Sequence, residues 1–471
     1  MMLSVLATMA IVTQDQSALR AAPRDAAPQQ AVLWQGDALE VRGRKLDYLQ
    51  VWDHRRERAG YVRASQVRSA TLEAADAGEL LSVLRFLRDS NGAEALGIAY
   101  AAAYLQAVPA IRIDAEPFDA IGTMADRLAR RASQRAGQTT PATIAAHLEV
   151  ANHYGVRIAG TERDGALQPC YDGEAFRRVL ALPSTPEQRA RAALGLTRHD
   201  CVDASLTPVQ RLPLDQWRAQ VLDQLSAEQF AQLPEQTKNR LRLRRAGVWA
   251  SLAYQFARRG EPAAPAAQRA LAELAGVNKT ELSDDDRSDY NEAAIRVGAS
   301  RWAAEPVAPT APGLTIQTAT GQPGETCVAL VDARQPNTKP LAQRCTYGLV
   351  WAASVRASAN GNALALAVQP LDTWRELWLF RRSGKDWAID VLPPAANGPE
   401  LGYVEFAGWV PGAERLLLAR ESKVEGRVKR SFEVTKLDSL QPEKSASTPD
   451  LLVLFGRWQD AAWKRQTVSL R

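Results

Sequence analysis

The sequence predicts a multidomain α+β protein: a small closed β-barrel at the N-terminus, a central all-α helical bundle or solenoid, and a C-terminal antiparallel β domain. Three observations carry that prediction. Apolar and polar residues alternate in strand fashion as far as Arg68, helical spacing takes over from Leu72 to Glu305, and alternation returns after the Pro- and Ala-rich stretch Pro306 to Pro312. A chain of 471 residues has room for about three domains at roughly 100–200 residues each. The borders read as 11–70 for the first domain, 71–305 for the helical one, 306–313 for a linker and 314–471 for the last.

Residues 1–10 come first. Met2 to Ala10 is apolar, with Ala7 and Ala10 as small residues at cleavage positions, and no basic residue precedes it. It reads as a signal-peptide remnant; the alternative is a first strand that begins early.

Within Val12 to Arg68, Leu39 and Val41 share one strand face, Leu49 and Val51 another, and Tyr61 to Val67 closes the set. Gly36-Asp37, Gly43 and Gly60 read as turns. The segment runs Leu19-Arg20 with Pro23, Gly36 with Leu39-Glu40-Val41, Asp47-Tyr48-Leu49-Gln50-Val51, then Gly60-Tyr61-Val62. In order and spacing it resembles the bacterial SH3-like domains, over about an eighth of the chain. That resemblance implies a binding unit of the bacterial envelope, with cell-wall peptides among its ligands. By alternation Tyr48, Gln50 and Trp52 point away from Leu49 and Val51, so Tyr48 and Trp52 are candidate binding residues, joined by Trp34 and Tyr61. The competing structural reading has these aromatics capping the barrel or packing on a neighbouring domain.

From Leu72 onward, Leu80, Leu81, Leu84 and Leu87 make an apolar stripe, and the following AEALGIAYAAAYLQAV is apolar all round, as a buried helix would be. Further helices are expected around Phe118 to Ser133, Pro141 to His153, Glu174 to Leu182, Pro186 to Thr197, Leu214 to Leu225, Lys238 to Arg259, Ala264 to Ala275 and Asp284 to Ala304. Pro109, Pro117, Pro141, Pro186, Pro208 and Pro213 should mark helix edges. Asp164-Gly165 predicts a hairpin interrupting the helices. No fixed repeat period is found.

After the linker, strand-like runs continue to the end, with turns at Asn360-Gly361, Ser383-Gly384 and Pro411-Gly412. GWVPGAERLLLARE followed by RSFEVTKLD resembles a β-propeller blade. The region would hold about three or four blades of roughly 40–45 residues, so a partial propeller and a sandwich both stay open.

Four cysteines fall into two local pairs, Cys170 with Cys201 and Cys327 with Cys345, outside any C-x-x-C motif. Two disulfides formed in an oxidising compartment fit that pattern, against the alternative of four reduced buried thiols. No apolar run reaches the ~20 residues that span a bilayer. The net charge of +5 is spread along the chain and does not select among acidic partners.

Motifs for chemistry are sparse. His147, Glu149 and His153 share a predicted helix, but a spacing of six sets the histidines roughly 120° apart, which disfavours a shared metal. Neighbours in sequence, His199, Asp200 and Cys201 cannot converge as a nucleophile and base. Gly321 to Thr326 has a phosphate loop's glycines without its lysine, and reads as a turn. Arg240, Arg242, Arg244 and Arg245 spread around more than half a helix, which favours a salt-bridged face over nucleic-acid binding. Asp284-Asp285-Asp286, near Glu281, reads as a helix start rather than a calcium loop.

No catalytic residue, metal ligand or cofactor site is assigned. The expectation is a non-catalytic, periplasmic binding or scaffold protein whose first domain engages peptidoglycan peptide or an envelope protein. An envelope hydrolase with a site between the helical and β domains is the first alternative, and a basic cytoplasmic nucleic-acid binder the second.

Overall fold

Strand alternation in the first seventy residues becomes a seven-stranded antiparallel sheet in the computed structural model, which describes residues 8–133, 140–163, 166–307, 313–335, 339–396, 401–412 and 414–466. Its strands are β1 (Met9–Val12), β2 (Ser17–Arg20), β3 (Gln29–Leu33), β4 (Ala38–Lys45), β5 (Tyr48–Asp53), β6 (Arg58–Arg63) and β7 (Val67–Ala70). Their order is β3-β2-β6-β5-β4-β1-β7, an open path with no pairing between its edge strands among the described residues. Ala10, Val12, Leu19, Leu33, Leu39, Leu49, Val51 and Val62 form one buried cluster, so the alternation sorts one face inward. Met9 and Ala10 belong to β1, as the early-strand alternative has it; residues 1–7 lie outside the described ones.

Two of the expected turn glycines sit inside strands instead. Gly43 follows a bulge in β4, where Val41 and Gly43 oppose Val51 and Gln50 and leave Arg42 as the extra residue. Gly60 lies in β6 because a Cβ there would stand 2.6 Å from the Leu19 side chain. The β4–β5 turn uses Leu46, at φ 56°, and the β5–β6 turn ends on Glu57, at φ 50°.

The helical middle comprises α1 (Ala77–Arg88), α2 (Glu94–Ala107), α3 (Glu116–Ser133), α4 (Pro141–His153), α5 (Glu174–Ala181), α6 (Pro186–Leu196), α7 (Pro208–Leu222), α8 (Ala227–Gln232), α9 (Glu235–Arg258), α10 (Ala264–Ala275) and α11 (Asp284–Ser300). Prolines open α4 and α6 at the first turn, where the missing N–H costs nothing. Pro213 departs from expectation: it lies inside α7, which Thr207 and Pro208 begin one turn earlier. The interrupting hairpin pairs β8 (Ile158–Arg163) with β9 (Ala166–Tyr171); its turn, Asp164-Gly165, lies outside the described residues.

The C-terminal strands are β10 (Leu314–Thr320), β11 (Thr326–Asp332), β12 (Ala342–Thr346), β13 (Leu349–Ala357), β14 (Ala363–Leu371), β15 (Trp374–Ser383), β16 (Asp386–Leu392), β17 (Leu401–Val410), β18 (Arg415–Val424), β19 (Arg427–Lys436) and β20 (Pro442–Ala446). The first three form one sheet. The other eight form another, made of two four-stranded meanders joined where Trp374 and Arg375 pair in parallel with Gly402 and Tyr403. The chain does not stay extended to its end: α12 (Val453–Trp458) and α13 (Ala461–Gln466) follow, because Leu452, Phe455 and Trp463 bury against Tyr403, Leu417 and Phe432. Beneath them Glu405 accepts hydrogen bonds from Arg301 and Arg375, both at 2.5 Å, and from Trp463 Nε1 at 3.0 Å. Burial alone would raise the Glu405 pKa, yet the two guanidiniums hold it below the ordinary carboxylate value.

Contacts divide the chain into two compact units, Met1–Leu206 with Val221–Leu233 and Thr207–Gln220 with Pro234–Arg471. The division runs through the helical region. Of the expected linker, 308–312 lies outside the described residues.

Candidate functional site

Cross-strand register builds the candidate face. Tyr48, Gln50 and Trp52 alternate along β5, and pairing sets Arg63, Tyr61 and Ala59 of β6 opposite them in turn. Directly opposed residues share a sheet face. Tyr48, Tyr61 and Trp52 are thus brought to one side, with Tyr61 placed between the other two.

The three are not equally open. Gln50 is exposed, and Trp52 and Tyr61 are half-buried. The Arg42 guanidinium, set out by the bulge, lies 4.9 Å from the Trp52 ring centre, and the His54 ring meets that indole edge-on. Glu40, opposite Trp52, pairs with His54 at 2.7 Å.

Tyr48 departs from the expected exposed position, being only 5% accessible. Its hydroxyl donates to Asp25 Oδ1 at 2.5 Å, while Arg63 covers its ring and pairs with the same carboxylate. The Tyr48 hydrogen bond, then that of Arg63, hold the Asp25 carboxyl below its ordinary value; the same bond to Asp25 pushes the Tyr48 hydroxyl up. Tyr48 therefore pins the loop after β2, and Gln50, Trp52 and Tyr61 are the residues of that face left at least partly open. Trp34 lies in the β3–β4 turn, where its backbone N–H donates to Asp37 Oδ2 at 3.0 Å, and it is not part of that strand-borne set.

An indole, a phenol, an amide and a guanidinium on one face offer π surfaces and hydrogen bonds of both signs. Such a face suits an extended polar peptide. Arg42 and Asp25 were not singled out by sequence. The bulge that presents Arg42 depends on register, and Asp25 meets Tyr48 across 23 residues.

Other motifs resolve into structural contacts. His147 is 1% accessible and its Nε2 lies 2.8 Å from Asp15 Oδ1, Glu149 pairs with Arg55, and His153 meets Tyr154 edge-on, so the three turn to different partners. Arg240 pairs with Asp286, Arg242 with Glu235 and Arg245 with Glu273. Asp284, Asp285 and Asp286 form the first turn of α11, whose cap is Ser283. Gly321 to Glu325 is a turn closed by the Glu325 N–H on Gln322 O at 2.8 Å. A cleft of about 150 Å³ runs beside β7 and α1, lined in part by Arg68, Glu79 and Tyr100; ligand pockets usually hold roughly 300–1,000 Å³.

Both cysteine pairs are disulfides. Cys170–Cys201 ties β9 to the segment after α6, and Cys327–Cys345 joins directly opposed residues of β11 and β12. Cys201 is thereby unavailable as a nucleophile, and Asp200 beside it pairs with Arg198. Among the described residues no helix is long and apolar enough to cross a membrane. Neither a family model nor a curated protein nor a solved structure matches the chain.

Proposed function

We propose that this is an exported, non-catalytic binding or scaffold protein of the bacterial envelope, whose N-terminal sheet is a bacterial SH3-like module. The module takes a cell-wall peptide, or a segment of an envelope protein, across Gln50, Trp52 and Tyr61. The observation that carries this reading is the partly open aromatic set on the β5–β6 face, outside the buried cluster of the same sheet. A half-exposed indole and phenol on a rigid sheet bind at low entropic cost, which is why such residues dominate interface energetics. Two disulfides support export, since such bonds persist in oxidising compartments.

Co-sedimentation with purified peptidoglycan sacculi tests the proposal. Wild-type protein should be retained, and Trp52→Ala/Tyr61→Ala should lose at least about tenfold in affinity, as expected for two aromatic anchors. Equal retention of a correctly folded double variant would refute the assigned face.

A further inference from the structure

The first sheet ends on an edge that no described strand covers. β7 is last in its order and pairs on one side only, with β1. Hydrogen bonding fixes which of its backbone groups face outward. Val12 N–H donates to Asp37 O and its carbonyl accepts from Gly36 N–H, both at 2.9 Å, so Val12 turns its backbone groups toward the start of β4. Thr13 N–H donates to Gln66 O at 2.9 Å, so the bonded partners of the β7 side fall at Thr13, Ile11 and Met9. Val67 and Ser69 alternate with those bonded positions and direct N–H and C=O away from β1, an open template for another strand. At the opposite edge of the sheet, the Gln30 carbonyl of β3 already accepts from the Arg58 guanidinium at 2.8 Å.

Beside that edge lies the cleft of about 150 Å³ between β7 and α1. Ile11, Leu80 and Val83 give it an apolar wall, and Arg68, Asp76 and Glu79 bring charge to it. Arg68 pairs with Glu79, which leaves the Asp76 carboxylate as excess negative charge. Asp76 Oδ2 accepts from Thr71 Oγ1 at 2.6 Å and from the Thr71 N–H at 2.9 Å, and the hydroxyl bond above all holds its carboxyl below the ordinary value. Tyr100 reaches the same cleft from α2. It is only 6% accessible, and its hydroxyl has no hydrogen-bond partner among the described residues. Burial pushes the hydroxyl's pKa up, and Arg68 and Glu79 stand near enough to act on it. The hydroxyl of so buried a tyrosine ordinarily has a partner, so one directed into a cleft marks a place for a polar group of a ligand.

We propose that β7 receives an extended peptide segment as an added strand, with one basic side chain of that segment seated in the cleft beside α1. Backbone pairing to Val67 and Ser69 supplies affinity, and the cleft supplies selectivity. A guest residue opposite Arg68 or Ala70 shares their sheet face, which is the side of the cleft. A volume of this size takes one side chain rather than a whole small molecule. Lysine matches it: the stem lies along Leu80 and Val83, and the ammonium has three donors for Asp76, Glu79 and the Tyr100 oxygen. An acidic side chain would instead meet the Asp76 carboxylate. This site is separate from the Gln50, Trp52 and Tyr61 face and does not rest on the binding proposed there.

Titration of the full-length protein with synthetic peptides tests it. Fluorescein-labelled, amidated heptapeptides of alternating threonine and valine, differing only in a central lysine, leucine or glutamate, are followed by fluorescence anisotropy. The lysine form should bind at least about tenfold more tightly than the other two, as charge-assisted hydrogen bonds predict. N-methylation of the threonines flanking the lysine removes the pairing donors and should abolish binding. On the protein, Ser69→Pro deletes the outward N–H and leaves the β1 bonds in place, and Tyr100→Phe deletes only the hydroxyl; each should weaken the lysine peptide roughly tenfold. The proposal is overturned if wild type binds none of the peptides, if the lysine and glutamate forms bind alike, or if Ser69→Pro and Tyr100→Phe both bind as wild type does. A dimer of this chain that Ser69→Pro dissociates and no peptide displaces would overturn it by assigning the edge to a second copy. Circular dichroism of each variant separates loss of the site from loss of the fold.

Discussion

The chain's two largest sheets differ in how far they bury their aromatic residues, although Tyr48 of the first is buried and Trp387 and Trp409 of the second are half-buried. In the C-terminal sheet Trp374, Trp378, Tyr403, Phe380 and Phe432 are all within 4% of complete burial. In the N-terminal sheet the buried cluster is aliphatic, and Trp52 and Tyr61 remain half-open on the other face. An aromatic that the core does not need is the better candidate for contact with a partner, and that contrast supports placing recognition on the first sheet.

The contrast can be broken by substitution. Phe432→Ala or Tyr403→Ala should cost about 3–5 kcal/mol, because each empties a fully packed site. Urea unfolding checks this, and a loss below about 1 kcal/mol would make those aromatics as dispensable as surface ones. Glu405→Ala should cost a similar 3–5 kcal/mol, since it strands two buried guanidiniums. Next comes Cys170→Ser/Cys201→Ser. Its 31-residue separation predicts a loss of about 3–4 kcal/mol from loop entropy. By comparison Trp52→Ala should cost at most about 1 kcal/mol, the lost partners being the exposed Arg42 and His54.

The smallest effect concerns pH. Burial alone would raise the Asp15 pKa, but His147 and the Gln35 N–H hold it below the ordinary 3.8. A depressed carboxyl stabilises the fold above its unfolded value, and that contribution is lost as pH falls through the lower folded value. Asp15→Asn should therefore flatten stability against pH in acid below about 4, with little change in the shape of the profile near neutrality. An unchanged acid profile would remove Asp15 from that account.

Much of the architecture was legible in sequence, because periodicity is a local signal. The strands from Ser17 to Arg63 and helices such as Glu116–Ser133 and Pro141–His153 follow from spacing and proline placement. What was not legible depends on partners distant in the chain. Tyr48 alternates correctly with Leu49, yet Asp25 and Arg63 draw it out of the open surface. Trp463 lies in a run with a strand's composition, yet it becomes helical where Glu405 and Phe455 receive it. The second disulfide depends on register, which sets Cys327 directly opposite Cys345.

The most direct test of the recognition claim is calorimetric titration of the purified protein with soluble cell-wall peptides, comparing wild type with Trp52→Ala and with Tyr48→Phe. The account predicts saturable binding that is lost in Trp52→Ala and retained in Tyr48→Phe, whose hydroxyl serves the loop rather than the ligand. Equal affinity in wild type and Trp52→Ala, or no binding by wild type to any wall peptide or to sacculi, would contradict it.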